Sequence, residues 1–188
     1  MNNIQFIDIF HIEGVAAILF YFMVYSFFGW MLENSFNLVT KGKFLKDNFL
    51  YGPFKPMYGI APLLLVLLIR PGLHWGLAVL LCLVIPTVVE YISGTLLGKL
   101  FNRQWWDYSD MPLQLHGHIC LPYSVCWTLL SLLFVKWIHP AVASFYLSVH
   151  PFWTWVWSAV GLYFLADLAL TVRRHASTIL VAEEIQPD

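Results

Sequence analysis

Five stretches of the chain are almost entirely apolar, and polar segments rich in glycine and proline separate several of them. A membrane-spanning helix needs about 20 mostly apolar residues, because the hydrocarbon core that it crosses is about 30 Å thick. The pattern therefore predicts five transmembrane helices, at residues 15–39, 57–69, 74–101, 121–138 and 152–172. The second helix is short and spans only if part of the preceding YGPFKPMYG segment also lies at membrane depth.

The predicted fold class is an all-α integral membrane protein, built as a five-helix transmembrane bundle. Residues 1–175 form a single transmembrane domain, and residues 176–188 form a short cytoplasmic tail. Composition agrees, since 60% of the 188 residues are hydrophobic and only 11% are charged. Soluble domains are usually about 25% charged. A net charge of −1 excludes nucleic acid as an expected partner, because such a partner calls for a basic face.

Lysine and arginine in the short connections predict the orientation, because these residues concentrate on the cytoplasmic side. Eight of the ten fall on one side in a five-helix topology: Lys41, Lys43, Lys46, Lys55, Lys99, Arg103, Arg173 and Arg174. Only Arg70 and Lys136 fall on the other side. We therefore expect the N-terminus outside and the C-terminus in the cytoplasm.

Three acids interrupt the apolar stretches, namely Glu33, Glu90 and Asp167. Each precedes the basic residues at the end of its helix by a similar spacing, which places the acids at depths of roughly 9–14 Å from the cytoplasmic edge. A buried acid is costly in a membrane and is best tolerated when it is paired. Glu90 is favoured as a site residue, whereas Glu33 could serve helix association and Asp167 could reach the membrane surface.

Two segments with glycine and proline precede the second and fourth helices, YGPFKPMYG and LHGHICLPYS. Irregular backbone at membrane depth must be buried in protein or line a wet cavity. We predict that both loops dip into the bundle and bring Lys55 and His118 close to Glu33 and Glu90. The order of acid-bearing helix, loop and apolar helix occurs twice, which indicates a parallel two-helix repeat. Chance similarity of apolar sequence is the alternative.

The two loops and the acids together predict an inner-facing polar pocket beneath an aromatic lid of Trp105, Trp106 and Tyr108. The alternative is a solvated loop whose aromatic residues rest on the membrane surface. The candidates for substrate binding or proton relay are Glu33, Asn37, Lys55, Tyr58, Glu90, Trp105, Trp106, Asp107, Tyr108, His118 and Asp167. No catalytic residue, metal site or cofactor is expected. His116 and His118 are two residues apart and are not expected to form a metal pair.

Residues 17–135 also resemble a known family. The order G-W-x-x-E, GPxxPxYG, E-Y-x-x-G and W-W-D-Y-S is similar to that of the bacterial proteins called putative ABC-transporter type IV permeases, the CmpB-like family. The resemblance implies a transporter component in the cytoplasmic membrane of a bacterium. It implies no substrate, mechanism or set of site residues.

The leading functional hypothesis is a multi-pass, permease-like component that binds or moves a small or amphipathic solute at the inner-leaflet pocket. The chain lacks the nucleotide-binding motif G-x-x-x-x-G-K followed by Ser or Thr, so an ATPase would be a separate subunit. Five helices are few for a permease, so a homodimer or a partner subunit is expected in addition to membrane lipid. Two alternatives are an intramembrane enzyme acting on a lipid-linked substrate, although no hydrolase motif is present, and a non-catalytic accessory, sensor or immunity protein.

Overall fold

The protein is almost entirely helical in a computed structural model that describes the backbone of residues 12–185 and the side chains of residues 14–177. The elements in chain order are α1 (Ile12–Lys41), α2 (Pro56–Leu68), α3 (Trp75–Phe101), the strands β1 (Gln114–Leu115) and β2 (Ile119–Cys120), α4 (Leu121–Leu133), a π-helical turn (Phe134–Ile138) and α5 (His139–Ile185). The two strands pair antiparallel as a small hairpin. The predicted all-α class is therefore confirmed.

Three helical runs in the described part of the chain are long and apolar enough to cross a membrane: Gly14–Lys41, Trp75–Phe101 and Leu121–Ser177. The helix α2 has 13 residues and is about 20 Å long, which is shorter than a hydrocarbon core of about 30 Å. The predicted count of five spanning helices therefore does not follow from helix length alone.

The loop before α2 explains why that helix is short. The Lys55 N–H donates to the Ser26 carbonyl of α1 at 3.1 Å, and Ser26 lies 15 residues before the end of α1 at Lys41. The loop thus follows α1 back over about 22 Å. Lys55 is extended, as the residue before a proline prefers, and Pro56 then starts α2 without losing a helical hydrogen bond.

The predicted fourth and fifth helices are one helical run, which corrects the expected break between them. Residues 139–151 are helical and continue α4 through the π-helical turn into α5. Pro140 lies just after the π-helical turn, and Pro151 lies inside α5. The run also passes the predicted end at residue 172, and the start of the predicted tail is helical up to Ile185. Residues 186–188 lie outside the described residues.

This long run bends sharply. Phe134 packs on Tyr25 with ring centres 4.9 Å apart, and Phe164 packs on Phe22 at 5.1 Å. A straight helix would separate Phe134 from Phe164 by about 45 Å, whereas their partners lie within one turn of α1, about 5 Å apart. The parts of the run around Phe134 and Phe164 therefore both pack on the same part of α1. Proline in a helix interior is a common cause of such a bend, and Pro151 lies in the interval.

The pairs α1–α2 and α3–α4 are the most extensively packed helix pairs, and they share several features. The helices α2 and α4 each have 13 residues and a proline in the first turn. Glycine permits a close approach in both cases, because a Cβ on Gly29 would lie 2.2 Å from Tyr58 of α2 and one on Gly94 of α3 would lie 2.8 Å from His118 of the loop before α4. The similarity fits the predicted repeat, although the connecting loops differ in length.

Three distant segments meet at one end of the bundle. His175 near the end of the described α5 side chains stacks on Phe49 of the first loop, with ring centres 5.6 Å apart, and it also contacts Phe101 at the end of α3. Arg103 forms an ion pair with Asp47 at the same end. The basic connections that the sequence predicts on one side of a membrane therefore do lie together.

Candidate functional site

Glu33 of α1 is held by two lysines of the first loop. Its Oε2 lies 2.5 Å from Lys55 Nζ and 2.8 Å from Lys46 Nζ. The Glu33 and Lys55 side chains are only 16% and 11% exposed, so the ion pair is largely shielded from solvent. The loop therefore places Lys55 beside Glu33 as its sequence predicts, and Lys46 is an additional partner.

Among the side chains that the structure describes, Glu90 of α3 is the most deeply buried acid, at 3% exposure. Its two oxygens accept hydrogen bonds from the Tyr108 hydroxyl and from the Trp127 indole N–H, both at 3.1 Å. The second loop brings His118 near Glu90, as predicted, but the donors to the carboxylate are Tyr108 and Trp127. His118 packs against Gly94, one helical turn after Glu90. The absence of a side chain at position 94 lets the loop come this close to α3.

Tyr58 connects the two acids. Its side chain interacts electrostatically with both Glu33 and Glu90, and its ring contacts the Trp127 ring with centres 5.6 Å apart. We call this group the carboxylate cluster, and its members are Glu33, Lys46, Lys55, Tyr58, Glu90, Tyr108 and Trp127.

Asp167 and two asparagines fasten the first loop rather than join the carboxylate cluster. The Asp167 carboxylate accepts the backbone N–H groups of Tyr51 and Gly52, at 3.0 and 2.8 Å. A side chain at position 52 would displace the Asp167 carboxylate, since an added Cβ would lie 2.8 Å from it. Asn37 donates to the Lys43 carbonyl, and Asn34 accepts from the Lys46 N–H. These contacts hold Lys46 and Lys55 at Glu33.

The predicted aromatic lid is not one unit. Trp106 donates its indole N–H to the His118 carbonyl at 2.9 Å, which fixes the second loop near Glu90. Trp105 faces the other way and packs on Phe49 and on the His175 ring. Adjacent residues of an irregular segment point in different directions, so only Trp106 and Tyr108 lie on the Glu90 side.

Asp107 stabilises a turn at the surface. It is exposed, and its Oδ1 accepts the hydroxyl and the N–H of Ser109 at 2.6 and 2.9 Å. The two Ser109 hydrogen bonds lower the pKa of the Asp107 carboxyl. Asp107 therefore has a local conformational role in this structure, and these side-chain hydrogen bonds go to Ser109 rather than to either buried acid.

A cleft of about 710 Å³ opens beside the carboxylate cluster. Its lining includes Tyr91, His116 and His118, but neither Glu33 nor Glu90. The polar pocket expected around the acids is thus divided into a closed cluster and a neighbouring open cleft. The two histidines line the same cleft, at the tight turn formed by His116 and Gly117. Within the described residues, no group of three or more His, Cys, Asp or Glu side chains could hold a metal ion.

Sequence reasoning missed Lys46 and Trp127 as partners of the acids. Lys46 was assigned only to the basic side of the membrane, and nothing in its spacing distinguishes it from its neighbours. Trp127 carries a usable signal, because an indole N–H in the interior of an apolar helix needs an acceptor. Its separation from Glu90 by 37 residues hides the partner until the helices pack.

A family model described as "Putative ABC-transporter type IV" matches residues 20–172 of the chain. The chain belongs to this family. The match confirms the resemblance, and the apolar helices agree with a membrane location. Every residue of the carboxylate cluster lies within the matched range. Neither a curated protein nor a solved structure matches the chain.

Proposed function

We propose that this protein is a multi-pass, permease-like component of a transporter, and that Glu90 of the carboxylate cluster binds a cationic group or a proton. The observation that carries the proposal is the pair of acids linked by Tyr58, of which only one has cationic partners. Glu33 is neutralised by Lys46 and Lys55. Glu90 is held by two neutral donors instead.

This difference assigns separate roles to the two acids. A carboxylate buried between neutral donors can be neutralised by a proton or by a cation that replaces one donor, and intramembrane acids of this kind commonly mark transport pathways. Glu33 needs no further cation or proton, because Lys46 and Lys55 already compensate its charge. We therefore assign Glu90 to binding and Glu33 to holding the first loop beside it.

The proposed topology has five membrane segments, with the N-terminus outside and the C-terminus in the cytoplasm of a bacterial cell. The shared location of Asp47, Arg103 and His175 supports it, because α1, α3 and the last part of α5 then end on one side. The two remaining segments would bring the chain back to the outer side. They are α2 with the loop before it, and the first part of the bent run. A short helix needs such a loop to complete a crossing.

The proposed assembly contains a separate ATPase or a second copy of this chain, together with membrane lipid. Support comes from the family match and from the absence of a nucleotide-binding motif in the sequence. The small size of the bundle agrees with an assembly, since pathways through the membrane are commonly formed between repeats or subunits.

Proteoliposomes test the role of Glu90. Wild-type protein is reconstituted with a pH-sensitive dye inside, a membrane potential is imposed, and entry of protons is followed with and without a lipophilic organic cation as probe. We expect a flux that Glu90→Gln abolishes, because the amide keeps the shape of the side chain and cannot carry the charge. Asp110→Asn is the matched control, since Asp110 is exposed and lies outside the carboxylate cluster.

Equal flux in wild type and Glu90→Gln would refute the assignment of Glu90. Turnover of a phospholipid by the detergent-solubilised protein, without any gradient, would favour the enzyme alternative instead. Co-purification of a larger complex whose activity is insensitive to Glu90→Gln would favour an accessory role.

A further inference from the structure

The cleft beside the carboxylate cluster has the chemistry of an anion site. We propose that it binds a phosphate-bearing anion, as carried by the headgroup of an acidic phospholipid. This inference does not depend on transport, because the cleft is lined by other residues than the two acids. Among the described residues that line it, none is acidic and two are Lys99 and Arg103.

The cations of the cleft are placed at the end of α3, where the apolar sequence stops. Lys99 is exposed in the last turn of α3, and no ion pair of Lys99 occurs within the described residues. Arg103 follows the helix and binds Asp47 at the rim, where the two side chains are 46% and 65% exposed. A guanidinium has five N–H donors, so Arg103 can hold Asp47 and a phosphate oxygen together.

The cleft also contains a hydroxyl without a protein partner. Threonine in a helix normally donates to the carbonyl four residues earlier, and Thr87 and Thr128 do so at 2.7 Å. Thr95 lines the cleft, and its buried Oγ1 has no hydrogen-bond partner. Buried polar atoms are rarely left unsatisfied, so a bound anion would provide the missing acceptor.

A strained turn places a histidine in the same cleft. His116 and Gly117 have φ values of +54° and +70°, and the His118 N–H donates to the Leu115 carbonyl at 3.1 Å. Positive φ at both central residues is typical of a type I′ turn, and it is unfavourable for a residue with a side chain. The Tyr91 hydroxyl hydrogen-bonds His116 Nδ1 at 2.9 Å and holds the ring in place.

The surface next to the cleft favours a lipid as the source of the phosphate. Ile92, Leu96 and Leu100 form an apolar stripe along α3 and are 56%, 52% and 56% exposed. Each follows directly after a cleft residue, so the polar and apolar stripes run side by side along the helix. A phospholipid could place its headgroup in the cleft and its acyl chains along this stripe.

Binding of short-chain phospholipids tests the proposal. The full-length protein in a nonionic detergent is titrated with dihexanoyl-phosphatidylglycerol, with dihexanoyl-phosphatidylcholine and with inorganic phosphate at constant ionic strength. Tryptophan fluorescence reports binding, because Trp105 and Trp106 flank the second loop. We expect phosphatidylglycerol to bind more tightly than phosphatidylcholine. Lys99→Gln should weaken that binding about tenfold, the effect of one lost charge-assisted hydrogen bond.

Lys41→Gln is the matched control, because Lys41 is also exposed in the last turn of a long helix but lies outside the cleft. Thr95→Val should weaken binding about threefold. Competition by inorganic phosphate would support the site and indicate a soluble source, whereas binding of phosphatidylglycerol alone would support the site with a lipid source. Equal affinity for both phospholipids without binding of phosphate, or equal effects of Lys99→Gln and Lys41→Gln, would overturn the proposal.

Discussion

Replacing Lys55 by methionine removes the most buried cation that contacts Glu33. The side chain keeps its length and its apolar packing, so the main change is the loss of the charge 2.5 Å from Glu33 Oε2. Removing one partner of a buried ion pair typically costs about 3–5 kcal/mol, because the other charge remains buried without compensation. Lys46 still contacts Glu33 at 2.8 Å, so we expect a loss near the lower end, about 3 kcal/mol.

A loss of this size should lower the melting temperature by about 6–12 °C, given about 2–4 °C per kcal/mol for a chain of this length. The assay is thermal unfolding of the detergent-solubilised protein, followed by tryptophan fluorescence at one scan rate for all variants. Lys43→Met is the control, because it removes the same charge from the same loop at an exposed position.

A double-mutant cycle isolates the pair itself. Combining Lys55→Met with Glu33→Gln removes both charges of the ion pair, so the double variant should be more stable than the sum of the single losses by about 1–3 kcal/mol. Additive effects of the two substitutions, or equal melting temperatures for Lys55→Met and Lys43→Met, would show that the Lys55–Glu33 contact does not hold the loop.

Five further substitutions, one of them a control, test the packing around the carboxylate cluster. Asp167→Asn should loosen the first loop, with a loss of about 1–2 kcal/mol and faster amide exchange in that loop; unchanged exchange would contradict the anchoring role. Gly59→Ala should destabilise the bundle by about 1–3 kcal/mol through overpacking, since its Cβ would lie 2.4 Å from a side-chain oxygen of α1. Gly98→Ala is the control and should have little effect, because its Cβ would have its closest neighbour at 4.0 Å. Equal melting temperatures for Gly59→Ala and Gly98→Ala would count against close packing at Gly59. Trp127→Phe and Tyr108→Phe each remove one hydrogen bond to the buried acid of α3, so each should lower thermal stability by about 1 kcal/mol; no change in either would exclude these bonds.

The sequence alone determined the helical class, the approximate ends of α1 and α3 and the family. These features depend on long apolar runs and on motif order, which are local properties of the chain. It also predicted the Lys55–Glu33 contact, because a costly buried acid needs a partner and the Gly-Pro loop could supply one.

The tertiary structure decided which side chains meet at Glu90. The sequence predicted His118, yet Tyr108 and Trp127 donate to this acid, from positions 18 and 37 residues away. Many polar side chains could satisfy a carboxylate, and only the packing of α3, α4 and the second loop selects two of them.

The path of residues 121–185 also depends on the tertiary structure. Apolar periodicity indicated two helices with a break, whereas the backbone remains helical and bends so that Phe134 and Phe164 both reach α1. Hydropathy reports which residues avoid water and therefore where a helix can lie in a membrane. The direction in which that helix bends depends on contacts between residues far apart in the chain, and these contacts exist only once the bundle has formed.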